Sequence, residues 1–518
     1  MVGRRSLAAR ARRDRARPLL HGGGSLGPVP RRSQLRPHSG IPGRGRDRRH
    51  RVNRARPTRG RGPRFFGAAA RGSPRAVRVR ARARDAARRI ARSRPHTARP
   101  VGGPRPRRAL HRGPRDPGHH HGVRNDVAPA IDERPDTSPG ALQALRGDSV
   151  YFNVAGSGPT FPVAQRAAER FRSWLNEVGM FGHVGYAAYN AALADTRADL
   201  AAALGDPSGA ARVALAQSAT DGLNTLIAGL AIPPRSLILT TAEEHGSALY
   251  PLRRRAELGD ELLEIGWHRD RERFLAEVRT GMRRGGRAIV ISLVSCKTGD
   301  VLPVRDACQL ARESGAISIV DAAQALGQVP VNVDELGADA VVTLGHKWLH
   351  GPLATGGFWV RDLELFTPTR LGWRSRLELP TGSREYNPNA TRFESGTVDA
   401  AAFVGLRQTL VVHELLGSWV SERIRVLRRR LLDRIAALPF IVRSTPDMPT
   451  GIVVIEPRGG DVAALVQRMW DEERIVVKLI DEPGIPQAIR LSFWALHAEE
   501  DIDRLATAFS RTLAAAVR

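Results

Sequence analysis

Residues 316–348 read AISIVDAAQALGQVPVNVDELGADAVVTLGHKW, two short apolar runs that each give way to a polar turn. Ala316–Val320 (AISIV) and Asp339–Thr343 (DAVVT) are apolar on both faces and rich in branched residues. That is the pattern of strands buried on both sides in a parallel sheet. Upstream, Arg287–Val294 (RAIVISLV) reads the same way. Between it and Ala316, residues Val304–Ser314 read as an amphipathic helix closed by Gly315, a glycine just past the helix end. Strand, helix and strand in this order predict βαβ units, hence the α/β class.

The pattern extends outward. Val213–Ala216 predicts a strand that turns into a helix over Asp221–Leu230, and Ser236–Thr241 (SLILTT) predicts another strand. The last hundred residues mix long amphipathic helices such as Ser418–Ala437 with short strands such as Gly451–Glu456, which predicts a smaller α+β domain. The expected organisation is a leader over 1–125, a large domain over 148–400 and a small domain over 401–518. No internal repeat is visible.

Charge separates the leader from the rest. The 518-residue chain carries 81 Lys+Arg and 52 Asp+Glu, a net charge of +29. Residues 1–124 hold 37 Arg, no Lys, no Glu and four Asp, leaving 44 basic and 48 acidic residues for the remainder. The basic character that would suggest nucleic-acid binding therefore sits outside the patterned region, which is mildly acidic. Arg, Gly, Pro and Ala dominate the leader, which lacks the apolar periodicity needed to offset chain entropy, so it is expected to be disordered. It reads as a mis-assigned start, as a basic tail or as a transit peptide. His119, His120 and His121 belong to this biased stretch and are not expected to bind metal.

Cys296 and Cys308 are the only cysteines, which excludes a disulfide framework and a multi-cysteine metal site. No apolar run reaches the roughly 18 residues that span a bilayer, and no secretory signal opens the sequence. A cytoplasmic protein, with no membrane or nucleic-acid partner, is expected. Of the 81 basic residues only Lys297, Lys347 and Lys478 are lysines. Arginine has taken the ordinary surface positions, so each lysine is informative, since lysine serves where an amine must deprotonate or form a Schiff base. Lys297 and Lys478 are expected to be solvated.

In open α/β sheets, ligands bind beyond the carboxyl ends of the strands. Following the predicted strands there come Asp321-Ala-Ala-Gln324, Leu344-Gly-His346-Lys347, Gln217-Ser218-Ala-Thr220 and Ala242-Glu-Glu-His245. An acid, a lysine, a hydroxyl turn and a histidine thus converge on one sheet edge. That set meets the needs of pyridoxal phosphate. Lys347 offers the amine, Asp321 a carboxylate for the pyridinium nitrogen and His245 a stacking face. Ser218 and Thr220, at a helix N-terminus, offer an anion site.

The segments VDAAQ and GHKW, with EEH upstream, resemble the class V aminotransferase or cysteine desulfurase-like family, pyridoxal phosphate enzymes of fold type I. Within it the sequence most resembles cysteine/cystine C–S lyases, through YFNVAGSGP (151–159), TLGHKWLHGP (343–352), LGWRSR (371–376) and RLSFWALHAEEDIDRL (490–505). The likeness covers roughly residues 148–515. It implies a mostly parallel seven-stranded sheet in the large domain and a smaller α+β C-terminal domain. It makes Lys347 the catalytic Schiff-base lysine and Asp321 the pyridinium partner, with Gln324 at the cofactor's phenolic oxygen and His245 stacked on its ring. It places Ser218, Thr220 and His346 near the phosphate. Thr397 would reach the phosphate of a second subunit, implying a homodimer with shared sites. Arg490 would grip the substrate α-carboxylate, with Asn153 and Trp373 in loops near the substrate; no metal is implied.

Three departures matter. Leu344 stands where the family carries Ser or Thr, with Thr343 one step earlier. Cys296 takes a position often held by Asn. Desulfurases carry a nucleophilic cysteine before the carboxylate-binding arginine, and Lys478–Ile489 (KLIDEPGIPQAI) has none. The expected activity is therefore α,β-elimination on a cysteine- or cystine-like amino acid. The alternatives are an aminotransferase or amino-acid epimerase of the same family, then a desulfurase. A non-enzyme alternative, a transcription regulator with a pyridoxal phosphate-binding domain, would need a helix-turn-helix that residues 1–125 do not offer.

Overall fold

The computed structural model of the chain describes residues 148–378, 384–482 and 486–516. The leader expected over 1–125, with its three histidines, lies outside the described residues.

The chain enters through a short strand, β1 (Val150–Tyr151), and two long helices, α1 (Pro162–Val178) and α2 (His183–Ala203). The large sheet is then laid down by β2 (Val213–Leu215), β3 (Leu237–Thr241), β4 (Glu261–Ile265), β5 (Gly286–Ser292), β6 (Ile317–Asp321), β7 (Ala340–Leu344) and β8 (Gly356–Val360). Its strand order is β2-β8-β7-β6-β5-β3-β4. Pairing is parallel from β4 across to β7, while β8 runs antiparallel to both β7 and β2. The expected mostly parallel seven-stranded sheet is therefore present. Every described residue of β2, β3, β6, β7 and β8 is buried, as continuous apolar runs require.

Crossover helices cover the sheet: α3 (Ala219–Ala228), α4 (Gly246–Glu257), α5 (Arg271–Arg283), α6 (Val304–Glu313) and the single turn α7 (Val333–Leu336). Helix α6 ends as its glycine predicts, with Gly315 at φ +68° and Ala316 N–H reaching back to Ala311 O at 2.9 Å. Cys308 is wholly buried on its apolar side.

A small hairpin, β9 (Arg376–Glu378) with β10 (Arg384–Tyr386), precedes α8 (Ala400–Leu416), which packs on α1 and α2. Beyond α9 (Trp419–Ile435) comes a second sheet of β11 (Phe440–Val442), β12 (Ile452–Pro457), β14 (Lys478–Ile480) and β15 (Ala488–Ser492). Its order is β11-β12-β15-β14, all antiparallel. Helices α10 (Val462–Asp471) and α11 (Glu499–Ala516) flank it, and β13 (Ile475–Val476) pairs in parallel with β1. The loop after β1 is thereby laid against β15. Ala155 N–H donates to Ser492 Oγ at 2.9 Å, and His497 Nε2 lies 2.8 Å from Tyr151 O.

Candidate active site

A cavity of about 340 Å³ opens beyond the carboxyl ends of the central strands. Small-ligand sites occupy roughly 300–1,000 Å³. Eight of the residues singled out from sequence line it: Ser218, Thr220, His245, Asp321, Gln324, His346, Lys347 and Arg490. Three do not. Asn153 stands behind the wall, where its Oδ1 accepts from Arg490 Nη2 at 3.5 Å. Thr397 is exposed between β10 and α8, and Trp373 is 51 % exposed in the loop before β9.

One end of the cavity is built by two helix N-termini. Ser218 caps α3, its Oγ accepting from Asp221 N–H at 3.1 Å, so the helix begins at Ala219, two residues before the sequence expectation. The first N–H groups of a helix lack intrahelical acceptors, and Ala219 and Thr220 present theirs at this wall. His245 caps α4 in the same way, with Nδ1 accepting from Ser247 N–H at 3.1 Å. This fixes the ring and leaves the imidazole proton on Nε2. Ser247 Oγ links His245 Nδ1 (2.8 Å) to Thr220 Oγ1 (2.7 Å). Two helix dipoles and a row of hydroxyls suit an anion such as a phosphate. Leu344 is buried in the wall, and Thr343 does not replace the missing hydroxyl, because its Oγ1 donates to Gly357 O at 3.0 Å. Ser247, which the sequence reading passed over, supplies a hydroxyl instead.

The floor is Asp321, the last residue of β6, whose Oδ1 accepts from Ala323 N–H at 2.8 Å. Burial pushes its carboxyl above the usual range, against the opposing pull of that N–H and of Lys347. Gln324 is held by Trp348, which donates to its Oε1 at 2.7 Å, and by Ala155 O, which accepts from its Nε2 at 3.1 Å. Lys347 sits in the turn after β7. Burial holds its amine below the ordinary lysine range, and no hydrogen bond or ion pair engages Nζ among the described residues. The turn is pinned by the loop after β1. Gly158 N–H donates to His346 O at 2.8 Å, and a Cβ on Gly158 would lie 2.2 Å from Lys347 O, so only glycine fits there.

Behind the floor lies Glu244, fully buried, a member of the EEH motif to which the sequence assigned no role. It accepts from Thr241 Oγ1 (2.7 Å), Ser292 N–H (2.8 Å) and Ser292 Oγ (2.5 Å). Burial, opposed by these bonds, raises its carboxyl to about 7, with the Asp321 charge adding to the rise. His245 and His346 are both held below the ordinary histidine range by burial and then by the charge of Lys347.

The opposite end belongs to β14 and β15. Arg490 Nη1 donates to Cys296 O at 3.1 Å, while its buried Nε has no partner and no carboxylate pairs with it among the described residues. Burial lowers its proton affinity. The thiol of Cys296, on the same wall, is pushed up to about 11 by burial. Lys478 also lines the cavity and is exposed, as expected of a solvated lysine, whereas Lys297 is half-buried and pairs with Glu482 at 3.0 Å. A wider groove of about 1300 Å³, walled by Lys297 and Glu482 among others, shares Thr220, His245 and Ser247 with the cavity.

The residues present fit pyridoxal phosphate. His346 Nδ1 and Arg490 Nε are buried polar atoms without partners, Asp321 is a buried carboxylate, and the paired helix N-termini form an anion cradle. Among the described residues no group of His, Cys, Asp and Glu could hold a metal ion, and no helix is long and apolar enough to cross a membrane.

A family model described as aminotransferase class V matches residues 150–505. The chain is 29 % identical over 329 residues to an isopenicillin N epimerase of Streptomyces clavuligerus, covering 59 % of this chain and 80 % of the relative. It is 28 % identical over 289 residues to a cysteine desulfurase of Klebsiella pneumoniae, covering 53 % of this chain and 70 % of that protein. Among solved structures, a C-DES mutant with glycine covalently linked to its PLP cofactor superposes with a TM-score of 0.67 at 23 % identity, covering 71 % of this chain and 98 % of the other.

Proposed function

Because the chain belongs to the class V aminotransferase family, whose members are pyridoxal phosphate enzymes acting on amino acids, we propose that it cleaves a carbon–sulfur bond in a cysteine- or cystine-like substrate. One observation carries the reading. A half-buried guanidinium whose buried Nε has no partner, Arg490, shares a small cavity with an unengaged, desolvated amine, Lys347. Those are the two contacts an α-amino acid needs at its carboxylate and at Cα.

When bound, pyridoxal phosphate supplies an electron sink for negative charge at Cα. Ser218, Thr220, Ser247, His346 and the N–H groups opening α3 would hold its phosphate. His245 would cover the ring, Asp321 would face the ring nitrogen, and Gln324 would offer its remaining amide N–H to the phenolic oxygen. Arg490 fixes the substrate carboxylate by charge-assisted hydrogen bonds. Lys347, whose amine burial makes easier to deprotonate, takes the proton from Cα. The Cβ–S bond breaks as the thiolate leaves with the bonding pair and takes up a proton. One water enters, so that an S-substituted cysteine yields pyruvate, ammonium and the free thiol.

The cysteines favour release of sulfur to solution over a protein-bound relay. Lys478–Ile489 contains no cysteine, Cys308 is buried in α6 with its thiol pushed up to about 12, and the Cys296 thiol is held at about 11. Thiols so poor in thiolate are weak acceptors of sulfur.

A second reading, inversion at Cα, is favoured by the likeness to isopenicillin N epimerase. The purified protein loaded with cofactor decides between them. Pyruvate released from cystine or an S-alkylcysteine without any 2-oxo acid acceptor supports elimination. Exchange of the Cα hydrogen with inversion and no pyruvate overturns it. The exposed positions of Thr397 and Trp373, away from this chain's own cavity, support a site completed by a second copy. Equilibrium sedimentation showing only monomers removes that part of the proposal.

A further inference from the structure

All three lysines of a chain with 78 arginines stand on the walls of the cavity and its adjoining groove. Lys347 lies at the floor, and Lys297 is neutralised by Glu482 at 3.0 Å. Lys478 is the unexplained one. It is the first residue of β14, and its register partner on β15 is Arg490. Directly opposed residues of an antiparallel pair project from the same face, so the ammonium and the guanidinium leave the sheet side by side and both line the cavity. Like charges placed directly opposite destabilise a sheet. No carboxylate pairs with either one among the described residues, and of the two acids that follow the strand, Asp481 and Glu482, the second is occupied by Lys297.

We propose that Lys478 forms a second anion subsite, so that the preferred substrate is an amino acid carrying a further carboxylate beyond its sulfur. This rests on the amino-acid reading of the cavity. Arg490 holds the α-carboxylate, and Lys478 receives the distal one nearer the solvent. A lysine suits that place because a compact ammonium on a flexible stem can follow a distal group of varying reach, where the planar fork of arginine would fix one geometry. Two anionic groups on one ligand also remove the repulsion between the two opposed cations, which a monoanionic amino acid does only in part.

The test compares S-carboxymethyl-L-cysteine with its neutral isostere S-carbamoylmethyl-L-cysteine on the cofactor-loaded full chain. Affinity is read from the shift of the cofactor's visible absorption, and pyruvate is measured separately. The anionic ligand is expected to bind about tenfold tighter at low salt, with the ratio shrinking as ionic strength rises. Lys478→Met brings the ratio close to one, Lys478→Arg restores most of it, and Lys297→Met keeps it. Equal affinities in the unmodified protein, or a preference that survives Lys478→Met, overturns the subsite. A preference without pyruvate keeps the subsite and refutes elimination. No spectral response to either compound removes the amino-acid reading, and the subsite with it.

Discussion

The two ends of the cavity are built on opposite plans. Where α3 and α4 meet, the polar groups are already wired together: Ser218 to Asp221, and Thr220 through Ser247 to His245. Where β14 meets β15, two cations stand on one face, and among the described residues no carboxylate pairs with them. The first plan suits a ligand that stays, since preformed donors and helix dipoles need no reorganisation to hold it. The second suits a ligand that comes and goes, since the arriving carboxylates supply the missing charge.

Substitutions can break that contrast. The largest effect is expected at Lys347, between the two ends. Lys347→Ala should cut pyruvate release by about 10³-fold or more and abolish the visible band of the lysine-linked cofactor. Next comes the strand end. Arg490→Met should raise KM by roughly 100-fold, the loss expected of a charge-assisted bidentate contact, while the unliganded holoenzyme keeps its visible absorption. Cofactor loss there would show that the two ends are not separate.

A stability effect is expected behind the floor. Glu244 has a folded value raised to about 7 from 4.5, so its contribution is complete below about 4.5 and is lost as pH rises through about 7. Glu244→Gln should flatten the loss of apoprotein stability between those pH values, a change on the order of 2–3 kcal/mol in urea unfolding at pH 5 and pH 8. The smallest effect belongs to the wired end. Ser247→Ala should weaken cofactor binding about five- to tenfold by equilibrium dialysis, the worth of one hydrogen bond, with KM little altered.

Much of the large sheet and of the cavity was legible because both rest on local signals. Short apolar runs located β3, β5, β6 and β7 to within two residues, and the rule that ligands gather beyond strand ends then picked out Asp321 and Lys347. Ser247 and Glu244 were missed because neither has a local signature: a serine in the first turn of a helix is an ordinary cap, and a glutamate in a loop is an ordinary surface acid. Their placement depends on α4 packing beside α3 and on the burial of residue 244 against β5. Lys297 departs from the solvated lysine its sequence suggests for the same reason, since its partner Glu482 is distant along the chain. The pairing of β14 with β15 sets Lys478 beside Arg490, and a register between strands is not written in either strand alone.

The seam that joins β1 and its loop to β13 and β15 has a consequence for how the protein is made. Residues 150–158 pin the Lys347 turn, yet they are themselves held by partners as far along the chain as Ser492 and His497. Contacts across more than 300 residues form late and slowly. A chain still emerging from the ribosome has its lysine and its helix termini in place long before the clasp that steadies them can close. The clasp is thus complete only when the last strand has joined, and a chain truncated before β15 would lack both the clasp and Arg490.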